Sequence, residues 1–201
     1  MSFERAVIFD LDGVLTDTAH FHFLAWQKIA QQVDVHFDEV SNEKLKGIDR
    51  VKSLQMILEQ SPHCFTEQEF QQLANKKNEH YQSLIATMAP QDVFPGVKGL
   101  IEALRQQDFG LGVASVSKNA RFVLERIGLL NEFDYIADAA KIANTKPHPE
   151  IFLTVAHALA VPTQFCVGIE DAEAGVTAIK AANMPAIGVG SEQQLGHAAV
   201  S

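Results

Sequence analysis

Hydrophobic and polar positions follow two different rhythms along the chain. Val7-Ile8-Phe9 is a continuous apolar run that meets Asp10, with Asp12 and Gly13 close behind. A short apolar run ended by turn residues predicts a strand buried on both faces. Two carboxylates cannot lie in its apolar middle, so Asp10 and Asp12 belong at its C-terminal end. Two residues apart on an extended chain, they face the same side. From residue 19 the spacing becomes helical. Phe21, Leu24, Ala25 and Ile29 make one apolar face, and Ser53, Leu54, Ile57 and Leu58 make another after Asp49, an expected N-cap. Thr66 to Glu69 has the capping-box pattern, followed by a stripe of Phe70, Leu73, Ala74, Tyr81, Leu84, Ile85 and Met88.

The Pro- and Gly-containing stretch at residues 89–96 ends this helical block. Beyond it, helices are expected at residues 97–107, 120–127, 149–160 and 172–182. They alternate with strands at 111–115, 135–137, 165–169 and 186–189. Gly128 stops the second of these helices, and Pro149 suits the first turn of the third. Such alternation implies right-handed crossovers and a mostly parallel sheet. The expected fold is therefore α/β: a Rossmann-like parallel-sheet core domain (residues 1–18 and 92–201) with an inserted all-helical cap domain (residues 19–91). Two passages of chain joining cap to core suit a lid.

Composition narrows the partners. The chain has 201 residues and a net charge of −9, which argues against nucleic acid and anionic membranes. An acidic protein that handles an anion needs a local basic cluster. Cys64 and Cys166 are the two cysteines, which predicts free thiols in a reducing cytoplasm. The first residues show no secretory h-region, and no apolar run reaches the ~18 residues of a membrane span. The expected partner is a small molecule, the expected state a monomer and the expected location cytoplasmic.

Polar residues gather at or just beyond the predicted strand ends: Asp10 and Asp12, Ser115 and Ser117, Lys146, and Glu170 with Asp171. In a parallel sheet these ends share one edge, where open α/β sheets bind ligands. Asp10, Glu170 and Asp171 offer oxygen donors only, which favours Mg²⁺ over Zn²⁺. A metal, the Lys146 ammonium and the Ser115 hydroxyl around one carboxylate suit a phosphoryl group with charge on three oxygens. Asp10 can act as a covalent nucleophile and Asp12 as a proton shuttle.

These residues resemble the motifs of the haloacid dehalogenase superfamily. Asp10-Leu-Asp12-Gly13-Val14-Leu15-Thr16-Asp17-Thr18 looks like its first motif; Ser115, Lys146 and the Gly168 to Gly175 stretch look like the other three. A cap between the first and second motifs is similar to the helical-cap subclass. Residues 18–26, 45–50, 53–54, 76–78 and 114–119 resemble the sugar-phosphate mutases of that subclass. The resemblance implies a phosphorylated Asp10, Asp12 as general acid and base, and Mg²⁺ held by Asp10, the Asp12 carbonyl, Glu170 and Asp171. It assigns Ser115 and Lys146 to the transferring phosphate, and Arg50, Ser117, Lys118 and Asn119 to the second phosphate and the sugar. Thr18, His22, Lys77 and the Lys46-Gly47 turn would orient Asp12 or line the closed cleft.

The function so implied is a mutase that interconverts β-glucose 1-phosphate and glucose 6-phosphate through glucose 1,6-bisphosphate. The alternatives are an Mg²⁺-dependent sugar-phosphate phosphatase and a non-catalytic phosphosugar sensor. Asp49, beside Arg50, either pairs with that arginine or caps the helix that follows.

Overall fold

A computed structural model describes residues 3–45 and 48–190. The chain divides into two compact units, one of Met1–Asp17 with Ala89–Ser201 and one of Thr18–Met88.

The first unit is built on a five-stranded, wholly parallel sheet of order β3-β2-β1-β4-β5. Its strands are β1 (Ala6–Phe9), β2 (Gly110–Val113), β3 (Tyr135–Ile136), β4 (Cys166–Glu170) and β5 (Ala186–Gly188). The Val7-Ile8-Phe9 run is central and fully buried, as a strand flanked on both edges and covered on both faces must be. Register decides what meets at its end. Phe9 aligns with Val113 on one side and Ile169 on the other. Asp10 therefore emerges level with Ala114 and Glu170. The ladder continues past the strand, with Asp10 N–H donating to the Ile169 carbonyl at 2.9 Å and Ala114 N–H to that of Phe9 at 2.8 Å.

Helices α5 (Val97–Arg105), α6 (Ala120–Arg126), α7 (Glu150–Ala158) and α8 (Glu173–Ala181) connect the strands. Ile151, Phe152 and Val155 of α7 and Ala178 and Ile179 of α8 bury fully in one cluster with Ala6 and Ile8 of β1. Gly128 ends the α6 segment in the left-handed region, as expected of a helix-stopping glycine. Pro149 sits one position earlier than expected, at the N-cap of α7, and Glu150 takes the first helical position.

The second unit holds α1 (Ala19–Gln32), α2 (Glu39–Glu43), α3 (Arg50–Leu58) and α4 (Glu67–Ile85). Trp26, Ile29, Leu54, Ile57, Leu73 and Ala74 share its apolar cluster. Thr66 and Glu69 close a reciprocal capping box on α4. Asp49 caps α3, where its Oδ1 accepts from Val51 N–H at 2.9 Å and Lys52 N–H at 3.1 Å. No helix among the described residues is long and apolar enough to cross a membrane. Cys64 and Cys166 are both free thiols.

Candidate active site

The centre of the site is a buried ion cluster at the C-terminal edge of the sheet. Lys146 Nζ lies 2.6 Å from Asp10 Oδ1 and 2.7 Å from Glu170 Oε2. Its side chain is 1% exposed. Asp10 Oδ2 accepts the Asp12 N–H at 3.1 Å. Glu170 Oε1 accepts the N–H groups of Asp171 and Ala172, each at 3.2 Å. Buried charges persist only when paired and hydrogen-bonded in this way.

Burial, and then the neighbouring Glu170, push the Asp10 carboxyl up to about 7, against the pull of Lys146. Burial alone lowers the Lys146 pKa, but the attraction of Asp10 and Glu170 outweighs it and leaves the ammonium above its ordinary value. Lys146 is therefore a fixed positive charge.

Two glycines make room for the acids. Gly13 has φ +82, and a Cβ there would strike the Asp171 carboxylate. A Cβ on Gly175 would strike the carboxylate of Glu170. The turn after β1 and the first turn of α8 are thus shaped around those two side chains.

Asp10, Glu170 and Asp171 bring ligand oxygens within 4.8 Å of one another. Three carboxyl groups face one ammonium, and every donor is a hard oxygen. The set fits a hard divalent cation.

Lys146 departs from its expected placement. The sequence pattern puts it at or just beyond a strand end, but β3 ends at Ile136, and a 3₁₀ turn (Ala139–Lys141) and an irregular loop intervene. The lysine reaches the cluster from that loop. Glu150, which the sequence did not single out, touches the same loop: its carboxylate accepts the N–H groups of Ala143 at 2.7 Å and Asn144 at 2.9 Å. In sequence it reads only as an acid in a helix's first turn.

The other expected residues take these positions. Ser115 is fully buried just past β2, and its Oγ accepts Ser117 N–H at 3.1 Å. Ser117 Oγ accepts Asn119 N–H at 3.2 Å, so the two hydroxyls shape the turn into α6. Lys118 is exposed on that turn. Asp12 is half-buried. In the helical unit, Thr18 is buried and its carbonyl accepts His22 N–H at 3.0 Å. Lys77 is buried, with Nζ 2.8 Å from His22 Nδ1 and over the rings of Trp26 (4.7 Å) and Tyr81 (4.5 Å). Burial, and then Lys77, hold the His22 imidazole well below its ordinary pKa. A charged Lys77 can only donate, which would leave the neutral ring's proton on Nε2. Arg50 is the first residue of α3 and half-buried. Lys46 and Gly47 lie outside the described residues.

A family model for haloacid dehalogenase-like hydrolases matches residues 4–183. The protein named beta-phosphoglucomutase in Bacillus subtilis (strain 168) is 47% identical over 193 residues, covering 95% of this chain and 85% of that protein. A solved structure of beta-phosphoglucomutase from Clostridium difficile superposes with a TM-score of 0.92 at 47% identity, covering 97% of this chain and 87% of that one. The fructose-1-phosphate phosphatase YqaB of Escherichia coli (strain K12) is 29% identical over 188 residues, covering 91% of this chain and 95% of that protein.

Proposed function

Because the chain belongs to the haloacid dehalogenase-like hydrolase family, we propose that it is a β-phosphoglucomutase, interconverting β-glucose 1-phosphate and glucose 6-phosphate. The observation that carries the proposal is the buried Lys146 bridging Asp10 and Glu170 beside Asp171. That cluster supports reading Asp10 as the nucleophile, Lys146 as a fixed cation and the three carboxyl groups as holders of a divalent metal. The 47% match to a mutase, against 29% to a phosphatase, favours return of the phosphate to sugar over its transfer to water.

In the proposed reaction the phosphoryl group on Asp10 passes to the C6 hydroxyl of β-glucose 1-phosphate. The bond from the Asp10 oxygen to phosphorus breaks, a bond from O6 to phosphorus forms, and Asp12 takes the hydroxyl proton. The bisphosphate then presents its C1 phosphate to Asp10. The carboxylate attacks phosphorus, the bond from O1 to phosphorus breaks, and Asp12 returns its proton to O1. Glucose 6-phosphate leaves and Asp10 is phosphorylated again. Lys146 and the Ser115 hydroxyl are the proposed partners of the phosphoryl oxygens in both halves. We assign Mg²⁺ to Asp10, Glu170, Asp171 and the Asp12 carbonyl, where it would neutralise charge on those oxygens when bound. Ser117, Lys118, Asn119 and Arg50 are proposed for the second phosphate and the sugar. Thr18, His22 and Lys77 are proposed to orient Asp12 or line the closed cleft.

The test is incubation with Mg²⁺, β-glucose 1-phosphate and a trace of the 1,6-bisphosphate, following glucose 6-phosphate and free phosphate together. Isomer accumulation with little free phosphate is expected. Stoichiometric phosphate release without isomer would make the protein a phosphatase, and binding without turnover would make it a sensor.

A further inference from the structure

A lysine side chain is long and flexible, so where its ammonium rests depends on where the backbone holds its Cα. Lys146 sits in an irregular loop, residues 142–149, between the 3₁₀ turn and α7. The loop's first half is tied by one side chain. Glu150 Oε1 accepts Ala143 N–H at 2.7 Å, and Oε2 accepts Asn144 N–H at 2.9 Å and Asn144 Nδ2–H at 2.8 Å. The second half closes on itself, with His148 N–H donating to the Thr145 carbonyl at 3.0 Å and Glu150 N–H to His148 Nδ1 at 3.2 Å. Glu150 is anchored in turn, because the next two residues of α7, Ile151 and Phe152, are fully buried against the sheet. Phe152 also places its ring 5.2 Å from Lys146 Nζ. An acid in a helix's first turn is favoured by the helix dipole without any loop partner. Three hydrogen bonds to one loop are a further arrangement.

We propose that Glu150 is a positioning residue for Lys146: it clamps the 143–144 backbone to α7, so that the ammonium is delivered to Asp10 and Glu170 in one place. The inference rests on the assignment of Lys146 to the transferring phosphate. Displacing a site group by about 1 Å costs on the order of 10²-fold in rate.

The experiment measures kcat, KM and thermal unfolding for wild type, Glu150→Ala, Glu150→Gln, Lys146→Ala and the double variant Glu150→Ala/Lys146→Ala, all with Mg²⁺, β-glucose 1-phosphate and a trace of the 1,6-bisphosphate. Glu150→Gln keeps the shape, so it stands in if the alanine variant fails to fold. Its Nε2 donor faces backbone N–H groups that need acceptors, so it too should lose kcat. The expected result is a kcat loss of at least about tenfold in the Glu150 variants. On the Lys146→Ala background, removing Glu150 should change kcat by less than about twofold, because residues acting as a unit are not additive. Full activity in either Glu150 variant overturns the inference. So does an undiminished second loss on the Lys146→Ala background, which would mean that Glu150 acts elsewhere. Lys146→Ala at the wild-type rate sinks the phosphate assignment itself, and the inference with it. Loss in Lys146→Ala alone sinks only the inference.

Discussion

Gly175 lies inside α8, where exchanging glycine for alanine ordinarily stabilises a helix by about 0.5–1 kcal/mol. Here the sign should reverse. The new Cβ would land on the Glu170 side chain, overlapping its Cγ, Cδ and Oε2. The helix cannot back away cheaply, since Val176, Ala178 and Ile179 are buried beside it. Glu170 must move, and its bonds to Lys146 and to two backbone N–H groups break. Breaking a buried ion pair costs about 3–5 kcal/mol, so after the helix gain roughly 2–4 kcal/mol of destabilisation remains. At 2–4 °C per kcal/mol for a chain of this size, Tm should fall by roughly 5–15 °C. The assay is thermal unfolding of wild type, Gly175→Ala, Glu170→Ala and the double variant. With the carboxylate gone there is nothing to strike, so Gly175→Ala on the Glu170→Ala background should be neutral or stabilising. An equal loss in both backgrounds, or no loss in the first, refutes the claim that Gly175 exists to admit Glu170.

Three shorter predictions follow from the same structure. His22 is held neutral in the fold, by burial and then by Lys77, while in the unfolded chain it protonates near pH 6.5. Below about pH 6.5 the unfolded chain binds a proton that the fold refuses, so stability falls toward acid and levels off above that pH. Urea unfolding across that range should show a shallower acid-side decline in His22→Asn, and an unchanged slope would remove His22 as its source. Asp49→Ala should cost about 1 kcal/mol by stripping the N-cap from α3, with Asp49→Ser retaining most of it. Turnover that rises in the alanine variant would instead mean that the carboxylate restrains Arg50. Chelation of divalent metal should stop turnover and added Mg²⁺ should restore it, whereas a chelated protein working at full rate would break the assignment of Asp10, Glu170 and Asp171 as ligands.

The reach of the sequence differs from residue to residue, for physical reasons. Asp10, Ser115 and Glu170 follow apolar runs, and a parallel sheet puts such ends on one edge, so their convergence is visible in the pattern alone. Which strands flank β1 is not visible, because register depends on pairing between distant segments. Lys146 belongs to a loop whose path is set by hydrogen bonds to Glu150, and no periodicity encodes those. Lys77 interrupts an apolar stripe, and only the packing of α1 on α4 shows it enclosed by His22, Trp26 and Tyr81. The five-residue α2 is too short to display a helical period, although Asp38 caps it. At Asp49 the sequence allows two partners, and backbone geometry places the carboxylate on the α3 N–H groups.

The charges at the site also explain how a chain of net charge −9 can attract a phosphate. Beyond a Debye length of roughly 8 Å the acidic surface is screened, so the outcome is decided locally. There, Lys146 is already committed to Asp10 and Glu170, and Asp171 adds a third carboxylate to the same cluster. The lysine alone leaves the edge of the sheet negative, hostile to a phosphate dianion. A divalent cation held by those carboxylates would offset their excess negative charge, and the ammonium and the Ser115 hydroxyl would then present net attraction. Phosphate affinity in this protein should therefore depend on metal occupancy more steeply than on any single basic side chain. Gly13 and Gly175 hold that dependence in place, because they let Asp171 and Glu170 come close enough to create it.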